Sequence, residues 1–190
     1  MFSFLGKVFG FSKSKISVLV VGLDNSGKTT LISRLQCAGS SFGENVTPTV
    51  GFTVEKLTKD NVEFTIFDMS GQSAYRGLWE SYYSDIDGII WVLDSTDRLR
   101  ITIAKCEIET ITCHESLKKR RVPLLIYANK MDLHNSLSPV ECMQLLNLDS
   151  LKENPWHIAA SNALSGEGVD DGLKWLSGVI KNLRSQTRRK

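Results

Sequence analysis

Six short runs of apolar and β-branched residues punctuate the chain, at positions 16–21, 52–57, 63–67, 88–93, 124–128 and 156–160. Each has the length and composition of a β-strand. Between most of them the apolar positions change to a three-to-four-residue spacing, which predicts helices over 28–37, 101–115, 139–146 and 170–183. The last is the clearest, because Leu173, Leu176, Val179, Ile180 and Leu183 form one stripe, as in a helix that packs one face on a core. Strands that alternate with helices pair in parallel through crossovers. The pattern therefore predicts an α/β domain with a six-stranded, mostly parallel sheet and helices on both faces. One pair departs from this: only a few polar residues around Lys59, Asp60 and Asn61 separate the second and third strands. That is too short for a crossover, so one strand is antiparallel, joined by a hairpin.

A sheet of this kind binds ligands beyond the carboxyl ends of its strands, and the polar motifs fall at those ends. Gly22-Leu23-Asp24-Asn25-Ser26-Gly27-Lys28-Thr29 follows the first strand and opens the first helix, matching the phosphate-binding pattern G-x-x-x-x-G-K-[ST]. Glycines let successive backbone N–H groups, from Leu23 to Thr30, converge on phosphates at the positive end of a helix dipole. Lys28 would bridge the β- and γ-phosphates, and the Thr29 hydroxyl would ligate Mg2+. Asp68-Met69-Ser70-Gly71-Gln72 follows the third strand. There Asp68 can hold the Mg2+ shell through water, Gly71 admits a backbone N–H to the γ-phosphate, and Gln72 can orient an attacking water. Asn129-Lys130-Met131-Asp132 follows the fifth strand and selects the base. A carboxylate at Asp132 accepts two hydrogen bonds from guanine, whose N1–H and 2-amino groups adenine does not match. Lys130 can lay its stem over the base, and Asn129 can tie this turn to the phosphate loop. Beyond the sixth strand, Asn162 and Ala163 can offer a backbone N–H to the guanine O6.

Composition narrows the class without changing it. The chain has 190 residues, 42% hydrophobic and 23% charged, enough for one globular domain with a substantial core. Its apolar runs fall well below the ~18 residues of a membrane span. Cys37, Cys106, Cys113 and Cys142 are widely spaced with no Cys-x-x-Cys pair, which fits structural thiols in a reducing, cytoplasmic setting. The net charge of +2 conceals six basic residues and no acid from position 173 onward, against 17 basic and 21 acidic residues before it. That basic end suits either anionic lipid or a solvated helix terminus.

With these motifs in this order, the chain resembles the small GTPases, and among them the Arf family. The likeness rests on positions 22–30, Pro48-Thr49-Val50-Gly51-Phe52, positions 68–72, Arg76-Gly77-Leu78-Trp79 and Asp94-Ser95-Thr96-Asp97-Arg98. It implies a P-loop switch using GTP, GDP and Mg2+, in which Thr49 closes on Mg2+ and the γ-phosphate when GTP is bound. It also implies that the hairpin of strands two and three slides with nucleotide state. Phe52, Phe67 and Tyr82 would then form an apolar effector patch, with plain core packing as their competing role. The implied partners of this monomer are an effector or coat protein, an exchange factor and a GAP, with no nucleic acid. The motifs at 67–72, 97–100, 120–123 and 155–158 are similar to the Arf-like subgroup that recruits the BBSome coat to ciliary membranes, at the cilium or basal body. The subgroup of tubulin-cofactor and lipidated-cargo type is the alternative. A P-loop kinase is disfavoured by the Asn-Lys-x-Asp turn, and a GTP-binding module without hydrolysis by Gln72.

The resemblance divides the chain into a leader, 1–14, a GTPase domain, 15–185, and a basic tail, 186–190. Arf proteins begin Met-Gly and are myristoylated there, whereas this chain begins Met1-Phe2. On a helical wheel Phe2, Phe4, Leu5, Val8, Phe9 and Phe11 oppose Ser3, Gly6, Lys7 and Gly10, an interfacial helix pattern that predicts peripheral membrane binding in the GTP state. Hydrolysis is expected to be slow without a GAP, since no arginine is an evident finger in cis and Arg76 and Arg98 read as surface ion-pair residues. Asp24 places a like charge beside the triphosphate.

Overall fold

The computed structural model describes residues 13–36 and 47–187. Residues 1–12 of the leader, Cys37 and the final three basic residues lie outside that range. Six strands form one sheet: β1 (Ser14–Val21), β2 (Phe52–Lys59), β3 (Val62–Met69), β4 (Gly88–Asp94), β5 (Leu124–Asn129) and β6 (Trp156–Ala160), in the order β2-β3-β1-β4-β5-β6. Only β2 and β3 pair antiparallel; every other neighbour is parallel. Their turn is two residues long, Asp60 and Asn61, with φ of +48° and +60°. Positive φ at both central positions gives the twist that joins two adjacent strands tightly.

The middle strands read as unbroken apolar runs because both sheet faces are covered. Along β1, β4 and β5 the side chains alternate between two cores. Leu19, Val21, Ile89, Trp91, Leu93, Leu124 and Ile126 face one side, against α2 (Ile101–Cys113) and α4 (Pro139–Leu145). Ile16, Val18, Val20, Ile90, Val92, Leu125 and Tyr127 face the other, against α1 (Lys28–Gln36) and α5 (Val169–Thr187). Each fully buried side chain of this size contributes about 1.5–3 kcal/mol of burial, so the alternation pins the register. Gly172 lets α5 approach the sheet: a Cβ there would lie 2.6 Å from the Tyr127 ring. The Tyr127 hydroxyl donates to Val169 O at 2.6 Å.

Helix boundaries follow local chemistry. Ser138 and Glu141 form a reciprocal capping box with Pro139 in the first turn of α4. The helix expected over 101–115 stops at Cys113, because His114 turns extended and its ring accepts from Ser116 N, capping the short α3 (Glu115–Lys118). β1 begins at Ser14 and α5 runs to Thr187, so ordered elements extend past both expected edges of the 15–185 domain. A 3-10 helix over Ser73–Tyr82, absent from the sequence pattern, packs Trp79 edge-on against Trp91 with ring centroids 6.0 Å apart. No helix among the described residues is long and apolar enough to cross a membrane.

The parallel strands β1, β3, β4, β5 and β6 all end at one edge of the sheet. The loops after Val21, Met69, Asp94, Asn129 and Ala160 therefore gather there.

Candidate functional site

The phosphate-type loop leaves β1 and enters α1 at Lys28. Asn25 and Gly27 take positive φ, +61° and +94°, which curls the backbone. A side chain at Gly27 would also strike Asn129, with its Cβ 2.5 Å from Nδ2. The close approach is functional in shape, because Asn129 Nδ2 donates to Ser26 O at 2.9 Å. The same side chain accepts at Oδ1 from Ala163 N (3.0 Å) and Ser161 Oγ (3.3 Å). One buried amide thus joins three loops of the carboxyl edge. Ala163 N–H, expected to face a base oxygen, is engaged in this joint instead, while Asn162 Oδ1 accepts from Leu164 N and Ser165 N.

Lys28 is 6% exposed and donates to Gly22 O at 3.0 Å and Leu23 O at 2.8 Å. Burial lowers its pKa to about 8, against the opposing pull of Asp68 and then Asp24. Asp68 is 1% exposed, and its carboxyl is raised above the usual range, chiefly by burial and against its hydrogen bond from Thr29. Thr29 Oγ1 donates to Asp68 Oδ2 at 2.7 Å and lies 3.0 Å from Thr49 Oγ1. Two hydroxyls and a carboxylate therefore meet at one point. A cation here would meet only hydroxyl and carboxylate oxygens, so it would be a hard one that completes its shell with water and phosphate. Mg2+ answers that description.

The remaining residues of the cleft surround this point. Its volume is about 260 Å³, and Asp24, Asn25, Thr30, Ser70, Gly71 and Gln72 contribute to its walls. Gly71 lies against the loop so closely that a Cβ would be 2.4 Å from Asp24 N. Gln72 is exposed and precedes the 3-10 helix. Its neighbour Ser70 donates its backbone N–H to Gly51 O at 2.9 Å. Arg76 clamps Gly71 O at 3.0 Å and pairs with Glu107 at 2.9 Å, and Arg98 is exposed. At the base end, Lys130 Nζ reaches Asp94 Oδ2 at 2.6 Å, so its stem spans the ends of β5 and β4.

Phe52, Phe67 and Tyr82 do come together: the Tyr82 ring centroid lies 5.2 Å from Phe52 and 5.0 Å from Phe67. Phe52 is 43% exposed, while Phe67 and Tyr82 are half-buried. Val50, Val54 and Leu78 are also exposed and were not singled out from the sequence. Val54 was findable, since it pairs directly with Phe67 and so shares its face. Arg100, which binds Asp24, was not.

The residues present fit a guanine nucleotide with Mg2+. Ser26 Oγ and Asp68 Oδ1 are buried without a hydrogen-bond partner, which is costly unless a ligand meets them. Asp132 follows β5 in the turn beside Lys130, is exposed, and has no partner among the described residues. A phosphate beside Lys28 and a cation beside Asp68 would each offset a buried charge. Through Asn129, the phosphate loop and the base-reading turn become a single device, and that union defines the class as the P-loop guanine-nucleotide-binding proteins. The ADP-ribosylation factor family model matches residues 1–180, and the chain belongs to that family.

Individual relatives narrow the comparison. ADP-ribosylation factor-like protein 6 of Danio rerio is 46% identical over 185 residues, 97% of this chain and 99% of that protein. ADP-ribosylation factor-like protein 1 of Saccharomyces cerevisiae is 41% identical over 181 residues, 94% of each. The solved Arl6 BBS3 small GTPase of Trypanosoma brucei, with the bound nucleotide analogue GppNp, matches with a TM-score of 0.83 at 41% identity, covering 90% of this chain and 99% of that one. As an Arf-like small GTPase, the chain hydrolyses GTP to GDP and phosphate, uses GTP and GDP with Mg2+, and works with effectors, exchange factors and GAPs.

Proposed function

We propose that this chain is a GTP-operated switch that recruits a BBSome-type coat to ciliary membranes. The reading is carried by one observation. Thr49, 3.0 Å from Thr29, is two residues from Gly51, whose carbonyl is bonded to Ser70, and three residues from Phe52 in the exposed aromatic patch. A hydroxyl that answers to phosphate is thus connected through a short backbone to a surface that answers to a partner.

In this reading Lys28 and the backbone N–H groups from Leu23 to Thr30 would hold the phosphates, and Thr29 and Thr49, with Asp68 behind them, would hold Mg2+. When bound, the ion would supply charge neutralisation at the phosphates. The Gly71 N–H faces the γ-phosphate, and Gln72 orients the attacking water. Asp132 reads the guanine, Lys130 covers it, and Asn129 with Asn162 and Ala163 braces the pocket. Turnover is slow alone, since Arg76 is committed to Glu107 and Gly71 and the charge of a finger must come from a GAP. The apolar face of residues 2–11 anchors the GTP form as a peripheral protein. The similarity to factor-like protein 6 and to the Arl6 BBS3 GTPase supports the ciliary assignment over the lipidated-cargo alternative.

The test is capture of purified BBSome-type coat on vesicles carrying the full chain. Gln72→Leu with GTP is expected to retain the coat, and Thr29→Asn is expected to lose it. Equal capture by the two variants would sink the proposal.

A further inference from the structure

Asp24 puts a carboxylate into a loop built to hold phosphates, and no step of hydrolysis asks for it. It lines the same cleft as Lys28, Thr49, Gly71 and Gln72, and its backbone nitrogen lies against Gly71. That places it at the end of the loop reached by the outermost phosphate. A free carboxylate there would repel a triphosphate more than a diphosphate, because the γ-phosphate adds charge at short range.

The structure shows where this charge is held. Arg100 Nη1 donates to Asp24 Oδ1 at 2.8 Å, and Nη2 donates to the Asp24 carbonyl at 3.2 Å. The guanidinium is itself braced from behind, with Nε donating to Asp97 Oδ2 at 2.5 Å and the Arg100 backbone N–H to Asp97 Oδ1 at 3.2 Å. Asp97 caps the 3-10 turn Arg98–Arg100, just beyond β4 at the sheet's carboxyl edge. The turn that forms the fork therefore also aims it at the loop. Both charges act on Lys28, Asp24 raising and Arg100 lowering its proton affinity, so both lie within electrostatic reach of the phosphate-binding ammonium. As a stabilising contact the pair is weak: the side chains are 32% and 47% exposed, where ion pairs add little net stability. Its value lies in orientation and charge. A planar fork that grips both the carboxylate and the carbonyl of one residue fixes that residue's rotamer and backbone together.

We propose that Arg100 is a positioning residue of the nucleotide site: it holds the Asp24 carboxylate off the phosphate path and cancels its charge, so that the loop accepts GTP as well as GDP. The proposal rests on the nucleotide reading given above. It explains how an acidic residue is tolerated in the loop, and it makes Arg100 a determinant of triphosphate against diphosphate preference.

The experiment measures the affinity of the full chain for a non-hydrolysable GTP analogue and for GDP, with thermal unfolding of each variant alongside. Arg100→Gln is expected to weaken the analogue about tenfold and GDP less than about twofold, the size of one like charge released nearby. Arg100→Lys keeps the charge without the fork and is expected to fall between. In Arg100→Gln combined with Asp24→Ala, the analogue-to-GDP ratio is expected to return to that of Asp24→Ala alone. The proposal is overturned if Arg100→Gln weakens both nucleotides alike, if the loss persists without the Asp24 carboxylate, or if Asp24→Ala alone weakens the analogue selectively. A wild-type chain that bound neither nucleotide would instead defeat the site reading itself.

Discussion

The two halves of the cleft are built on opposite terms. On the loop side, Lys28, Ser26 and Asn129 are all buried; two carbonyls of the loop hold Lys28, and the Asn129 amide at the end of β5 holds the Ser26 carbonyl. On the switch side, 70–82 is anchored by the buried Trp79, whose Nε1 donates to Ser70 O, and by Arg76, but 49–52 is held more lightly, by the Thr49–Thr29 hydroxyl pair, the backbone bond from Ser70 to Gly51 and the Phe52–Tyr82 ring contact. Val50 is 71% exposed and Gln72 is exposed. A region tied into the core by buried contacts opens only at the cost of the core. One held by a few surface bonds has a low opening free energy and can be biased by a ligand. On the proposed reading the first half, with the Asp24 charge held by Arg100, recognises nucleotide in either state, and the second distinguishes the states.

The largest effect should come from the loop side. Lys28→Met keeps the length and apolar packing of the side chain but removes the charge proposed to meet the phosphates. GTP and GDP affinity should both fall by about a hundredfold or more, the scale of a lost buried charge-assisted contact. The nucleotide-free protein should unfold at the same temperature or slightly higher, since burial already disfavours the ammonium. Titration calorimetry together with thermal unfolding reads both. A selective loss of GTP binding alone would mean that the loop, too, senses nucleotide state, and the contrast between the halves would fail.

Thr49→Ala tests the other half at smaller scale. On the proposed reading the hydroxyl 3.0 Å from Thr29 Oγ1 serves only a closed switch, so GTP affinity should fall about tenfold while GDP affinity stays within about twofold, as expected for one lost polar contact. Stopped-flow release of a fluorescent GTP analogue and of GDP measures the two. Equal losses would place Thr49 with the loop side.

The same contrast explains which parts were legible in the sequence. Strands β1, β4 and β5 announced themselves because both faces are buried along continuous apolar stretches, at 18–21, 89–93 and 124–128. The loop and the Asn-Lys-x-Asp turn did so because their chemistry is local, with all the ligand-facing groups inside eight or four consecutive residues. Three features were not legible, each for a physical reason. The 3-10 helix at Ser73–Tyr82 has a period near three and carries only one fully buried side chain, Trp79. The break at His114 depends on a ring nitrogen accepting a backbone N–H, which periodicity does not register. The Arg100–Asp24 contact joins residues 76 apart in sequence and exists only because β4 lies beside β1. Val54 stands between these cases, since the hairpin register that exposes it was countable once the two-residue turn was placed.

The smallest effect on the protein itself should come from Phe52→Ser, and it separates a docking surface from a core. Phe52 is 43% exposed at the start of an edge strand and touches Tyr82 at a ring-centroid distance of 5.2 Å. An aromatic pair of this kind is worth about 0.5–1.5 kcal/mol, so thermal stability should drop only slightly. Nucleotide affinity should stay within about twofold, because Phe52 does not line the cleft. Binding of an effector should fall far more than either, since an exposed aromatic at the centre of an apolar patch is where association energy concentrates. The measurement is a side-by-side comparison of unfolding temperature, GDP affinity and coat capture by the GTP-loaded chain. If stability collapses while capture by the remaining folded protein is unchanged, Phe52 belongs to the core and the patch is packing. If capture alone is lost, the aromatic cluster is the output of the switch, and its exposure is the reason for the sparse bonding of that half of the cleft.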